Sequence, residues 1–223
     1  SAWMGRLAQR VMHLLTTQTH LGRAYEVDLE LRPNGSSGLP VVSTGAFADY
    51  QRESAWTWEH QALTRARVVV GSPRMTTLFE SLRHEVLTAE RDPETLRAEI
   101  ASMREKMRSH GSKIAAGLWD LKQGAGGLID VEFLVQHAVL HHAAEHPTVI
   151  AYTDVWRQLE ALEKAGCWPA TSAYALLDVQ RAYRSWRHRA MLRGEPMQAA
   201  EGDFANERAL VTALWQQYLG APA

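Results

Sequence analysis

Hydrophobic positions recur every three or four residues along most of this chain, and every second residue in one short stretch. Trp3, Leu7, Val11, Leu14 and Leu15 predict an amphipathic opening helix that fades by Thr19 and breaks at Gly22. Tyr25, Val27, Leu29 and Leu31 then alternate with Glu26, Asp28, Glu30 and Arg32, which predicts a strand over Tyr25–Pro33. Pro33-Asn34-Gly35-Ser36-Ser37-Gly38 reads as a loop, and Leu39 to Ser43 as a short second strand or an extended segment. Helical spacing returns with Phe47, Tyr50, Ala55, Trp58, Ala62 and Ala66, a helix that Gly71-Ser72-Pro73 terminates. Met75, Leu78, Phe79, Leu82 and Val86 predict the next, and Asp92-Pro93 opens another through Leu96, Ile100, Met103 and Met107. After a polar gap at 111–117 and a glycine-rich run at 122–127, Ile129 to Ala144 reads as a largely buried helix. Helices over 153–165, 171–189 and 203–219 complete the pattern.

The chain is therefore expected to be mainly α. A lone strand has no sheet to pair with, and its backbone groups need partners, so the rest of a sheet is expected upstream of Ser1. The start on Ser1, running straight into a helix, suggests a piece of something longer. With 223 residues, 46% hydrophobic and 22% charged, the chain has the composition of a globular protein with a sizeable core. Its 24 basic and 25 acidic residues nearly cancel, which argues against nucleic acid as a partner. No apolar run is long enough for a membrane span, and SAWMGRLAQR is not a secretory signal. The single cysteine, Cys167, excludes an internal disulfide and suits a reducing, cytoplasmic setting.

Three segments carry residue types that packing alone does not require. On the Tyr25–Pro33 strand, three carboxylates and Arg32 share one face. Such a row repels itself unless water, a cation or a metal intervenes. Magnesium is held by one or two carboxylates plus phosphate oxygens, while a solvated strand face accounts for the same pattern. In Ala55–Gly71, Glu59, Arg65 and Arg67 lie among aromatic residues. The arginine fork matches phosphate, although tryptophans in a core with charges in water explain this run as well. In Leu121–Gln136, Gly126-Gly127 precede a helix start, where free N–H groups favour anions. Lys122 lies on the approach, and Asp130 and Glu132 fall in the first turns, where the helix dipole alone also favours acids.

Two further clusters have weaker claims. His137/His141 and His142/His146 are spaced i, i+4, as zinc ligands can be, but no cysteine is near. Arg181 to Arg193 carries a basic face with Tyr183 and Trp186, fit for an acidic partner or for solvent.

The runs YEVDLELRPNGSSG, FADYQRESAWTWEHQALTRARVV, MREKM and LKQGAGGLIDVEFLVQ, in that order, resemble the bifunctional glutamine synthetase adenylyltransferase/adenylyl-removing enzyme family. TDVWRQLEALEKAG and the closing helix near Trp215 extend the likeness over essentially the whole chain, which looks most like the C-terminal, adenylylating half. The resemblance implies the end of an α/β nucleotidyltransferase core, one or two strands within residues 1–71, followed by a helical bundle over residues 72–223. It also implies transfer of AMP from ATP to a tyrosine of glutamine synthetase, with Mg2+ bound between a Gly-Ser turn, an Asp-x-Asp pair and a third carboxylate. Asp28 matches that third carboxylate, as metal ligand or base helper with Glu26 beside it. Arg32 and Lys122 are then candidate phosphate contacts, and Asp130 and Glu132 candidates for the nucleotide pocket or for orienting Lys122. The sequence departs from the family pattern in two places. Only 27 residues precede Asp28, none forming Gly-Ser followed by Asp-x-Asp, and Glu30 stands where the family has arginine. The chain alone is therefore expected to be inactive. Two rival readings remain: a non-catalytic helical module that binds glutamine synthetase or a PII-type signal protein, and a hydrolase-type metal domain built on the histidines.

Overall fold

The computed structural model describes residues 2–29, 32–33, 35, 38–109 and 114–220. It is mainly α, with nine α-helices and two small antiparallel strand pairs among the described residues. The helices are α1 (Ala2–Thr16), α2 (Thr44–Glu53), α3 (Thr57–Leu63), α4 (Pro73–Leu87), α5 (Pro93–Ser109), α6 (Leu128–His142), α7 (Val155–Lys164), α8 (Ala170–Arg193) and α9 (Ala205–Leu219). The strands are β1 (Gln18–Thr19), β2 (Gly22–Arg23), β3 (Leu118–Asp120) and β4 (Gln198–Ala200).

α6 is the axis of the helical body. Every residue from Leu128 to Leu140 except Glu132 is buried, as a helix apolar on all sides requires. α3, α5, α7, α8 and α9 all pack on it. The core is completed by Leu96 and Ile100 from α5, Leu159 and Leu162 from α7, Leu176 and Leu177 from α8, and Val211, Leu214 and Trp215 from α9, with Leu82, Val86 and Leu87 of α4 buried on the side of α2 and α3. β3 and β4 close this body, with Trp119 opposite Ala199. Helix starts follow capping chemistry: the side chains of Ser43, Ser72 and Asp154 accept from Ala46, Met75 and Arg157 N–H.

The structure departs from the sequence reading in the first third of the chain. Tyr25–Leu29 is irregular rather than a strand, and Glu30 and Leu31 lie outside the described residues. Alternation supplies two faces but no ladder partner. The Tyr25 N–H bonds to the Leu15 carbonyl at the end of α1. Pairing occurs just upstream instead, where β1 and β2 form a minimal hairpin across His20-Leu21. Leu39–Ser43 is also irregular. The helix expected from Phe47 to Ala66 is two helices, because Trp56 takes an extended conformation (φ −80°, ψ 158°) and restarts the ladder. The Glu59 carboxylate accepts the Trp56 N–H at 3.0 Å and caps the new helix from within. α1 stands out among the helices, since its apolar stripe faces outward, with Trp3 59% and Leu14 76% exposed.

Candidate functional site

α2, α3, α4, α5 and α6 surround a cleft of about 910 Å³, and Arg32 and Pro33 reach its mouth from the preceding loop. Phe47, Trp58, Phe79, Met103, Met107 and Phe133 make its walls apolar. Its polar groups are few and placed: Gln51, Glu59, Gln61, Arg65 and Gln136, together with Arg32. Small-molecule sites have this composition, mostly apolar with a small number of oriented polar groups.

Each polar group has a local reason for its position. Gln61 is 2% exposed, and its Nε2 donates to Gln136 Oε1 at 3.0 Å, joining α3 to α6. Glu59 is buried and accepts the Tyr50 hydroxyl on both oxygens, at 2.9 and 3.0 Å, in addition to its capping bond. Arg65, just past the end of α3, donates to Glu132 on α6 at 2.7 Å with its guanidinium still half-exposed. Arg32 Nε donates to the Gly38 carbonyl at 3.1 Å, which folds the loop back, and its Nη1 donates to the Leu29 carbonyl.

Of the residues singled out by sequence, Arg32 lines the cleft, and Glu132 stands at its edge through Arg65. Glu26 and Asp28 are exposed on the irregular segment just upstream. Lys122 is exposed on the glycine-rich turn and does not line the cleft. Asp130 is drawn inward instead. It is 2% exposed and accepts from Arg104 Nε at 2.6 Å, Arg108 Nη2 at 2.8 Å and Gly126 N–H at 2.7 Å. Arg104, wholly buried, also donates to the Gln123 carbonyl at 2.7 Å.

The expectation that the glycine run offers free N–H groups to an anion is therefore corrected. Gly127 N–H bonds to Gly124 O, Leu128 N–H to Leu121 O and Ile129 N–H to Lys122 O. The turn is folded onto itself, and Tyr183 donates to the Gly126 carbonyl from α8 at 2.8 Å. Glycine is required here for contact: a Cβ on Gly124 would lie 2.2 Å from Trp119 Nε1. Sequence reasoning missed Arg104, whose signal was present. It sits four residues after Ile100 and eight after Leu96, in line with the buried stripe of α5. An arginine at a core position on a buried helix face implies buried acceptors for its donors, a carboxylate or backbone carbonyls.

The histidines form a ring stack rather than a cage. His137 and His141 stack with centroids 5.7 Å apart, and His142 meets His141 edge-on at 4.6 Å. His137 is 7% exposed, and burial pushes its pKa down to about 4, with His141, His142 and Arg97 adding to the shift. No group of three or more histidine, cysteine or acidic side chains among the described residues is arranged to hold a metal. The exposed Glu26 and Asp28 are the carboxylates that would hold a magnesium ion, which takes one or two of them beside phosphate oxygens. They do not supply the ligand set of a two-metal centre. No helix among the described residues is long and apolar enough to cross a membrane.

Comparison with known proteins falls in two parts along the chain. The family model described as Glutamate-ammonia ligase adenylyltransferase matches residues 1–82, and that described as GlnD PII-uridylyltransferase matches residues 94–199. The relative named bifunctional glutamine synthetase adenylyltransferase/adenylyl-removing enzyme from Pseudomonas syringae pv. tomato is 49% identical over 95% of this chain. Its namesake from Pseudomonas putida is 48% identical over 94%. The chain is thus similar to glutamine synthetase adenylyltransferases over nearly all of its own length, and it spans 23% of the length of each of these relatives.

Proposed function

We propose that this chain is a segment of a magnesium-dependent enzyme that transfers AMP from ATP to a tyrosine hydroxyl of glutamine synthetase. The observation that carries this reading is the likeness to these relatives over 95% and 94% of the chain, joined to a cleft lined by Arg65 and by Arg32, which follows the exposed Asp28 by four residues. In the transfer, the tyrosine oxygen forms a bond to the α-phosphorus, the bond from that phosphorus to the bridging oxygen breaks, and pyrophosphate leaves. Asp28 takes up or relays the tyrosine proton, which a carboxylate can do only when exposed to the reacting group. Asp28 and Glu26 would hold the magnesium ion, which when bound would supply charge neutralisation for the triphosphate. Arg65 and Arg32 orient the phosphates, and Glu132 holds Arg65 in place.

Two carboxylates are too few for two-metal chemistry, so the chain alone is inactive in this reading. A second reading is favoured by the match of residues 94–199 to the PII-uridylyltransferase model: the helical body as a docking module for glutamine synthetase or a PII-type signal protein.

Labelled ATP, magnesium and glutamine synthetase test both. Activity only in a version extended upstream with a relative's sequence, lost at least ~10²-fold on Asp28→Asn, supports the transfer reading; such losses are typical when a group that acts only in the transition state is removed. Activity in neither form, with tight binding of the short chain to glutamine synthetase, overturns it in favour of docking.

A further inference from the structure

Helix α8 keeps one face in the core and leaves another to solvent that carries a single sign of charge. Leu176, Leu177, Gln180, Tyr183 and Ala190 are buried, so Tyr183, read from the sequence with the basic face, belongs to the core side. The exposed residues fall into two adjacent rows at i, i+4 spacing: Arg181, Ser185, Arg189 and Arg193 in one, Arg184, His188 and Leu192 in the other. No acidic residue occurs between Arg181 and Arg193. Arg181 is engaged by Asp178 at 2.8 Å and by the Trp156 ring, and Arg193 approaches Glu195 at 3.9 Å. Among the described residues no carboxylate pairs with Arg184 or Arg189.

A solvated helix face is the ordinary account of exposed charge, and two features go beyond it. Like charges three or four residues apart destabilise a helix, yet Arg181 with Arg184 and Arg189 with Arg193 are such pairs. The helix dipole favours cations within the last turn only, which covers Arg193 but not Arg184, more than two turns earlier. The second feature is apolar. Leu192 is 89% exposed and Met191 beside it 59%. Guanidinium groups around exposed apolar side chains are the composition of a protein interface, where arginine and methionine are enriched. The surface that fits offers carboxylates with apolar contact between them. A nucleic-acid backbone lacks that apolar contact, and the 24 basic and 25 acidic residues of the chain give it no general attraction for polyanions.

Resting on the AMP-transfer reading, we propose that this face of α8 docks an acidic surface of the protein to be modified, glutamine synthetase. A tyrosine side chain offers the same hydroxyl on any protein, so selecting one protein requires contacts remote from the reacting group. α8 suits that role because it packs on α6, α7 and α9, while none of its residues lines the cleft. Arg184 and Arg189 meet carboxylates of the partner, and Leu192 fills the apolar contact between them. Binding of the partner also relieves the repulsion along the helix.

The test is surface plasmon resonance of the whole chain on immobilised glutamine synthetase. Arg184→Glu/Arg189→Glu, both at exposed positions and checked for an unchanged circular dichroism spectrum, is expected to weaken binding at least ~10-fold. Arg6→Glu/Arg10→Glu alters net charge equally at exposed positions of α1 and is expected to leave binding within about 2-fold. Raising salt from ~50 to ~500 mM should weaken the unaltered chain ~10-fold or more and the α8 variant far less, since exposed ion contacts are screened. In a version extended upstream that transfers AMP, the α8 change should raise KM for glutamine synthetase and leave kcat unaltered, as for a contact made equally in the ground and transition states. No binding to glutamine synthetase, equal losses in the two charge variants, or binding of a DNA duplex through the same arginines as tightly as glutamine synthetase overturns the proposal. The two readings fail separately. Binding untouched by the α8 change with Asp28-dependent transfer intact removes the docking face alone, whereas α8-dependent binding without Asp28-dependent transfer removes the transfer reading and leaves the docking face.

Discussion

Removing the Asp130 carboxylate is the most severe single change the helical body is expected to suffer. Three donors converge on it, from Arg104, Arg108 and the Gly126 backbone. The Arg104 side chain is 1% exposed and that of Arg108 14%, so the first cannot recover hydration when its partner is lost. Truncating one member of a buried ion pair costs about 3–5 kcal/mol, because the other charge is left uncompensated. Asp130→Ala is therefore expected to remove that much of a total that is ~5–15 kcal/mol for ordinary domains. For a chain of this length each kcal/mol moves the midpoint by roughly 2–4 °C, giving a fall of about 6–20 °C. Urea unfolding followed by far-ultraviolet circular dichroism measures the loss directly. The double change Asp130→Leu/Arg104→Met should recover part of it, since replacing both charges by apolar groups is far cheaper than orphaning one. The recovery is incomplete because the Gln123 carbonyl and Gly126 N–H lose their partners too. A loss below ~1 kcal/mol for Asp130→Ala would show that the network is not a stabilising hub and refute the reasoning.

Three other perturbations test separate parts of the structure. His137 titrates near 4 when folded against 6.5 in an unconstrained chain, so the unfolded state binds the proton first as pH falls. Stability should decline from about pH 6.5 to 4, by on the order of 3 kcal/mol from this group; His137→Leu should flatten that component, and an unchanged difference between the two proteins across the window would sink the assignment. Arg83 is buried and donates to the carbonyls of Leu63 (3.1 Å), Thr64 (2.9 Å) and Ile150 (2.8 Å). Arg83→Met should cost about 2–4 kcal/mol in urea unfolding, as three buried acceptors lose charged donors. Gly124→Ala should lower the thermal midpoint by several degrees through the clash with Trp119 and Asp120; a wild-type melting curve would contradict the packing described.

The helices were legible because their ends are written in local chemistry. Ser72-Pro73 and Asp92-Pro93 mark boundaries that the structure keeps, whereas the helix read as ending at 189 runs on to Arg193 before Gly194. The near-complete burial of α6 followed from its largely apolar run. The strand at Tyr25 was misread because alternation reports two faces, whereas pairing needs a neighbour that no local pattern announces. The reverse error hid β3 and β4, three residues each, which pair across a separation far beyond any local window. Of the residues singled out by type, Arg32 lies on the cleft and Glu132 beside it through Arg65. Gln61 and Gln51 escaped notice because an amide becomes informative only once the fold buries it. Asp130 was visible but its role was not, since a carboxylate in the first turn of a helix looks the same whether it meets solvent, a phosphate or an arginine from another helix.

The pairing of β3 with β4 also constrains how the protein comes into being. Leu118–Asp120 meets Gln198–Ala200, and α9, which follows at once, packs on α5 and α6. A ribosome delivers the chain from its N-terminus at a few residues per second, so α5, β3 and α6 emerge long before the elements that cover them. During that interval the nascent surface destined for Val211, Leu214 and Trp215 stays open to water. Closing so long a loop is entropically unfavourable until those contacts form. Completion of the helical body therefore waits on the last helix and is a late event of synthesis, and a chain stalled after α8 would present a sticky half-core to chaperones and proteases.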